Sequence, residues 1–158
     1  MTVVSSNPII LTPEPKGHFI KEATIGAGLV GTVYPGTQMK LQSDGTWLPF
    51  TASADGAYGE VALLVEDQLQ GQPSSVGYVA SQRCFIYVPG VGDECNVLFQ
   101  AYGTGSGSTL AIGSLLMVGK GTGQYIPTTG SPAQTPWITT GTVAESGSVA
   151  ALVPARRI

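Results

Sequence analysis

Apolar and polar residues alternate along this chain in short runs, and no apolar pattern of helical period persists for ten residues. Short strands are therefore expected throughout, with almost no helix. The clearest pattern surrounds Asp44-Gly45, which sits between two alternating runs and predicts a two-residue hairpin turn, because both turn residues must take positive φ. Counting outward, Leu41 would pair with Leu48, Lys40 with Pro49 and Met39 with Phe50. Met39, Leu41, Leu48 and Phe50 then share the core face, while Lys40, Gln42 and Trp47 share the other. A tryptophan on the polar side of a hairpin makes Trp47 a candidate contact with a partner.

Three other stretches carry the pattern onward. Glu60 to Asp67 (EVALLVED) is nearly continuously apolar, which suits a strand buried on both faces, with Glu66 and Asp67 forming a solvated end. Gln82 to Val88 and Asn96 to Tyr102 flank Pro89–Glu94 and are expected to form a second hairpin, with Val88 opposite Cys95 and Cys84 opposite Phe99. Trp137–Val143 and Ser148–Pro154 read as the last two strands, after a surface loop at 130–136 and before Arg156-Arg157. The start of the chain differs. Pro8, Pro13 and Pro15 exclude a helix over residues 1–17, and they bracket the apolar cluster Ile9-Ile10-Leu11. Such a segment is either a disordered terminus or a strand on its own domain, or it is an arm that lies along a partner's sheet edge.

The hairpin also has an echo. Met39 to Pro49 aligns without gaps on Met117 to Pro127, matching Gly45 with Gly123 and Trp47 with Tyr125; Gly59–Val65 (GEVALLV) resembles Gly147–Val153 (GSVAALV). Two related β-units are expected, at residues 21–102 and 110–158, joined by the Gly/Ser-rich stretch 103–109 and preceded by an arm at 1–20. Tyr125 then becomes a second candidate anchor.

Composition narrows the class. Only 11% of the 158 residues are charged against about a quarter in an average domain, and 22 are glycine, a profile suited to an all-β domain with many turns. The net charge is −3 and the seven cations are scattered, so no basic stripe is present for nucleic acid. No apolar run approaches twenty residues, and residues 1–15 lack the charged start and long apolar centre of a signal peptide. A soluble protein made in a cytoplasm is expected.

Candidate chemistry dissolves on inspection. Gly26-Ala27-Gly28-Leu29-Val30-Gly31 has dinucleotide-fingerprint spacing, but β-branched residues and Pro35 follow where a helix must open, so these glycines read as turns. Gln38-Met39-Lys40-Leu41 faintly resembles the Met-Lys turn of biotin and lipoate carriers, yet Lys40 is mid-strand. Gly119-Lys120 lacks phosphate-loop spacing. His18 is the sole histidine and has no neighbouring nucleophile or oxyanion loop. Cys84 and Cys95 fall too far apart in the expected hairpin for a disulfide and lack histidine partners for zinc, so both should be free and buried. No enzyme activity, metal or cofactor is expected.

The string IGAGLVGTVYPGTQMKLQSDGTWLPF, followed by GEVALLVED, resembles the capsid decoration (head cement) proteins of tailed bacteriophages, over Ile25–Phe99 and more weakly over Ala111–Val153. The resemblance implies a small β-barrel or β-tulip-like body with an extended N-terminal arm, on the outer surface of the virion, synthesised in the bacterial host cytoplasm. It implies the major capsid protein as partner, with adjacent subunits clamped and the expanded head stabilised. Self-association as a trimer is favoured, although a duplicated chain could act as a monomer or dimer. Pro8, Ile9, Ile10, Leu11 and Pro13 of the arm, with Trp47 and Tyr125 as aromatic anchors, are the expected contacts. Deleting residues 2–16 is expected to leave a folded body. The alternative is another virion surface module: a head-fibre base, a tail component or a carbohydrate-binding β-sandwich.

Overall fold

A computed structural model describes residues 9–11, 18–51, 61–100, 109–119, 121–128, 137–144 and 150–158. Its strands are β1 (His18–Thr24), β2 (Gln38–Leu41), β3 (Trp47–Pro49), β4 (Ala62–Val65), β5 (Arg83–Val88), β6 (Glu94–Phe99), β7 (Thr109–Leu110), β8 (Leu115–Val118), β9 (Tyr125–Thr128), β10 (Trp137–Thr139), β11 (Val143–Ala144) and β12 (Ala151–Arg157). A 3-10 turn at Gln68–Gln70 is the sole helical element among the described residues. The all-β expectation holds.

Ten of these strands form two five-stranded sheets, the second a closed barrel and the first brought round to a ring by one parallel bridge. The first sheet runs β1-β5-β4-β2-β3 and the second, a closed barrel, runs β10-β12-β6-β9-β8. Five strands in a ring cannot all be antiparallel to their neighbours; one pair must be parallel. In the barrel that pair is β6–β9, joined at Phe99 and Tyr125, with the Gln100 N–H donating to the Tyr125 carbonyl at 2.8 Å. The first sheet curls until its edges meet in the same way. Ile25, just past β1, bridges Trp47 in parallel, and the Gly26 N–H donates to the Trp47 carbonyl at 2.9 Å.

Strand for strand, β1, β2, β3, β4 and β5 correspond to β6, β8, β9, β10 and β12. Each ring also carries an antiparallel accessory pairing between the segment after its first strand and the segment after its fourth. It is the Val33–Tyr78 bridge in one ring and β7–β11 in the other. The same order of pairings thus recurs in both sheets, and the sequence echo matched β3 to β9 in register, Trp47 with Tyr125, but set β2 against β8 one residue out. Five residues (42–46) separate the Leu41–Trp47 pair, whereas six (119–124) separate Val118 from Tyr125. Met117 thus takes the place of Lys40, and Leu116 that of Met39. The second echo fails, because β12 is the counterpart of β5 rather than of β4.

The Asp44-Gly45 hairpin exists with a different register. Met39 pairs with Pro49, Lys40 with Leu48 and Leu41 with Trp47. Gln42 accepts the Gly45 N–H and donates to the Thr46 carbonyl, leaving a three-residue loop with Gly45 at φ +83°. Such a loop is a type I turn closed by a left-handed glycine. Thr46 donates its N–H and hydroxyl to Asp44, bonds that hold this carboxyl below its ordinary range. One residue of slip moves side chains to the opposite face. Trp47 is consequently buried on the face of Met39, and Leu48 turns outward beside Lys40; Leu41, opposite Trp47 at the end of β2, is 48% exposed.

The two cores interleave through β4 and β5. Ala62, Leu64, Cys84 and Ile86 point into the first ring with Ile25, Met39 and Trp47. Leu63, Val65, Phe85 and Tyr87 point outward, into one cluster with the barrel residues. All four residues of β4 are buried, as a strand covered on both faces requires. Gly36 joins the bodies: its N–H donates to the Leu64 carbonyl at 2.8 Å and its own carbonyl accepts the Leu98 N–H at 2.9 Å. At φ +87°, a Cβ there would lie 2.8 Å from the Leu98 nitrogen, so only glycine fits.

The expected hairpin of 82–102 does not form. The chain leaves the first ring after Val88 and enters the second at Glu94, so the boundary between units falls at 89–93. The stretch 103–109 lies, except for Thr109, outside the described residues. Asp93 makes the crossing, accepting from the Tyr87 hydroxyl and the Gly90 N–H. Cys84 faces Ala23 and Cys95 faces Ala155. Both cysteines are free and buried, as expected, with burial pushing each thiol up to about 12.

Candidate functional site

Of the described residues expected to grip a partner, Ile9, Trp47 and Tyr125 are buried, and Ile10 and Leu11 are half-buried. Trp47 is 6% exposed and Tyr125 is fully buried. Each is the aromatic that closes its ring, so neither presents a surface anchor. The Tyr125 hydroxyl donates to Gln38 Oε1 at 2.9 Å, linking the barrel interior to β2 of the first ring, and burial raises this phenol well above its ordinary range. Trp137 meets Tyr125 edge-on at 6.2 Å, and its indole N–H is buried without a hydrogen-bond partner among the described residues. Pro8 and Pro13 lie outside the described residues.

Ile9, Ile10 and Leu11 act as a strap on their own chain. Ile10 bridges Cys95 in antiparallel fashion, the Asn96 N–H donates to the Ile9 carbonyl at 2.7 Å, and the Leu11 N–H donates to the Glu94 carbonyl at 2.8 Å. The Ile9 side chain is fully buried in the shared core, and its N–H donates to the Glu66 carboxylate at 3.1 Å. The strap thus ties the second ring to a residue just past β4 of the first. A free arm over 1–20 is corrected accordingly, since residues 18–20 already belong to β1. Deleting residues 2–16 would remove Ile9 from the core, and burial of such a side chain contributes about 1.5–3 kcal/mol.

Glu66 and Asp67 are also corrected, being 7% and 4% exposed rather than a solvated end. Both lie just past the end of β4, and their carboxylates serve different partners. Glu66 accepts from Ile9 and from the Gln68 side chain. Asp67 caps the 3-10 turn through the Gln70 N–H and pairs with Arg83 at 3.3 Å. Arg156 and Arg157 belong to β12, which runs past the Pro154 end expected from sequence.

What the surface offers is a cleft of about 470 Å³ where the two hairpins meet. One wall is the outward face of β2–β3, with Lys40, Gln42 and Leu48. A second is the loop after β1, with Leu29, Thr32 and Tyr34; the floor is closed by Thr122 and Gln124 of the β8–β9 hairpin. Gly123 brings the hairpins together: the Gln38 N–H donates to its carbonyl at 2.9 Å, and a Cβ on Gly123 would lie 2.7 Å from the Gln38 carbonyl oxygen. Val30 stands at the rim, 95% exposed. Amide and hydroxyl groups beside aliphatic and tyrosine surface suit an uncharged polar ligand or the side chains of a docked protein. The sequence identified Lys40 and Gln42 as outward-facing. It did not identify the other walls, because they converge only when the two rings meet.

Among the described residues no group of three or more His, Cys, Asp or Glu is placed to hold a metal ion, and no helix is long and apolar enough to cross a membrane. The chain matches no protein-family model and no curated protein.

Proposed function

We propose that this chain is a structural virion protein that binds the outer surface of a phage capsid and stabilises the expanded head by clamping adjacent major capsid subunits. The observation that carries this reading is the pair of equivalent rings fixed in one body by the strap, Gly36 and Gly123. A shell repeats one subunit, and a binder that repeats one ring can meet two like surfaces at once. The second contact is then intramolecular, and its effective concentration strengthens weak binding. A protein that binds only the expanded lattice stabilises it by mass action, with no chemistry required. Self-association into trimers would add further valency, and monomers or dimers would still span two subunits.

With the aromatics interior, exposed apolar residues such as Val30 and Leu41 take over as contacts in this reading. The test is saturable co-sedimentation of the purified protein with undecorated expanded heads. Binding to expanded and not to unexpanded heads is expected; absence of binding to either contradicts the proposal. The uncharged hydroxyl and amide groups of the cleft favour the alternative, a carbohydrate-binding virion module. That reading would gain if glycans bound the protein and heads did not.

A further inference from the structure

The two rings treat one edge differently. Along Glu94 to Gln100 the even-numbered residues face away from β12, and each makes a main-chain bond on that side. Glu94 C=O accepts from Leu11, Asn96 N–H donates to Ile9, Leu98 N–H to Gly36, and Gln100 N–H to Tyr125. The corresponding residues of the first ring are Ile20, Glu22, Thr24 and Gly26. Gly26 donates to Trp47 as Gln100 does to Tyr125. The odd-numbered residues face β5, as the Ile25 bonds to Gln82 and Ser81 show. Outward groups of Ile20, Glu22 and Thr24 have no partner among the described residues. This stretch is the counterpart of the slot that the strap fills in the barrel.

We infer that the free edge of β1, Ile20 to Thr24, receives an extended segment of another protein as an added antiparallel strand. The filled counterpart shows that a three-residue segment can dock on this edge through main-chain bonds. Charge selects a different protein over a second copy. A two-fold pairing centred on Glu22 sets two carboxylates opposite each other, and one centred on Lys21 sets two ammonium groups opposite each other. One centred on Ala23 carries Lys21 and Ile20 onto Ile25 and Gly26, which already pair with Trp47. The Lys21 and Glu22 side chains are exposed. The incoming strand therefore carries a cation opposite Glu22 and an acid opposite Lys21. The strap register places Ile9 opposite Asn96 and Ile10 opposite Cys95, the counterparts of Glu22 and Lys21.

The experiment uses the full chain and three synthetic octapeptides: residues 6–13, the same peptide with Ile9→Lys and Ile10→Glu, and a reversed control with Ile9→Glu and Ile10→Lys. Amide exchange is read by NMR. The Lys/Glu peptide should slow exchange at Glu22 and Thr24 saturably, by about tenfold at about nine times its Kd, and leave Lys21 and Ala23 unchanged. The unsubstituted peptide should bind more weakly and the reversed one weakest. Glu22→Pro removes the outward N–H without touching the bonds to β5, a change an edge strand tolerates, and should abolish the effect. Failure of all three peptides at millimolar concentration to slow Glu22 and Thr24 overturns the inference, as does undiminished binding by a folded Glu22→Pro protein. The wild-type exchange pattern decides the matter even if that variant does not fold.

Discussion

The two rings share a topology and an arrangement of interior positions, but none of the seven corresponding interior residues is identical. Ile25, Met39, Trp47, Ala62, Leu64, Cys84 and Ile86 in the first ring correspond to Phe99, Leu116, Tyr125, Trp137, Thr139, Val153 and Ala155 in the second. All fourteen are buried. Size is traded between positions: alanine at 62 corresponds to tryptophan at 137, and isoleucine at 86 to alanine at 155. Aromatic character persists where the parallel pair closes the ring, at Trp47 and Tyr125. Polar substitution is accommodated when the group finds a partner. The Thr139 hydroxyl donates to the Ala111 carbonyl at 2.7 Å and accepts the Ser114 N–H at 2.9 Å. The comparison teaches that strand pairing and total interior volume specify this unit more tightly than residue identity does.

The sharpest way to break the comparison is to exchange volume at one position. Trp137→Ala should cost about 3–5 kcal/mol in urea unfolding, while Trp137→Phe should cost below about 1.5 kcal/mol, because it also deletes a buried N–H that lacks a partner. Equal losses for the two variants would show that volume is not what the position requires.

The turn glycines that the echo matched offer a smaller effect. Gly45 has open space around it, whereas Gly123 abuts Gln38. Both sit at positive φ, so Gly45→Ala should cost about 1 kcal/mol and Gly123→Ala more than about 2 kcal/mol, measured by thermal unfolding. Equal costs would mean that the rings do not meet at Gly123.

A third test asks whether the thiols are equally dry. Burial raises both from an ordinary 9.0 to about 12. The unfolded chain therefore loses its thiol protons first as pH rises. Stability from this source is complete below pH 9 and falls between about 9 and 12, by about 1.4 kcal/mol per thiol at pH 10. Cys84→Val and Cys95→Val should each flatten that alkaline decline; an unchanged slope for either would place its thiol in contact with water.

Much of this was legible in the chain. Alternation gave the strand-rich class, the unbroken ALLV run gave the doubly covered β4, and the glycine spacing at 26–31 gave turns. The hairpin tip was located but its loop length was not, since Ser43-Asp44-Gly45 fits a three-residue loop as well as Asp44-Gly45 fits a two-residue one. That single residue decided whether Trp47 faced water. Non-local choices were hidden for a different reason. Arg83–Val88 and Glu94–Phe99 are close in sequence and both suit a hairpin. They separate because each finds its partners elsewhere, β1 and β4 on the two sides of one and β12 beside the other. Likewise nothing local marks Glu66 as the acceptor for Ile9, which lies 57 residues away. The cleft is assembled from both hairpins and a connecting loop, so no contiguous stretch could reveal it.

Native-state amide exchange at Gly26 and Gln100 tests the equivalence of the rings most directly, because these N–H groups close the parallel seams. Protection of both, at levels approaching that of the central strands, is the predicted result. Strong protection of Gln100 beside a Gly26 amide exchanging at the rate of an unstructured peptide would leave one barrel and one open sheet, and would contradict the account.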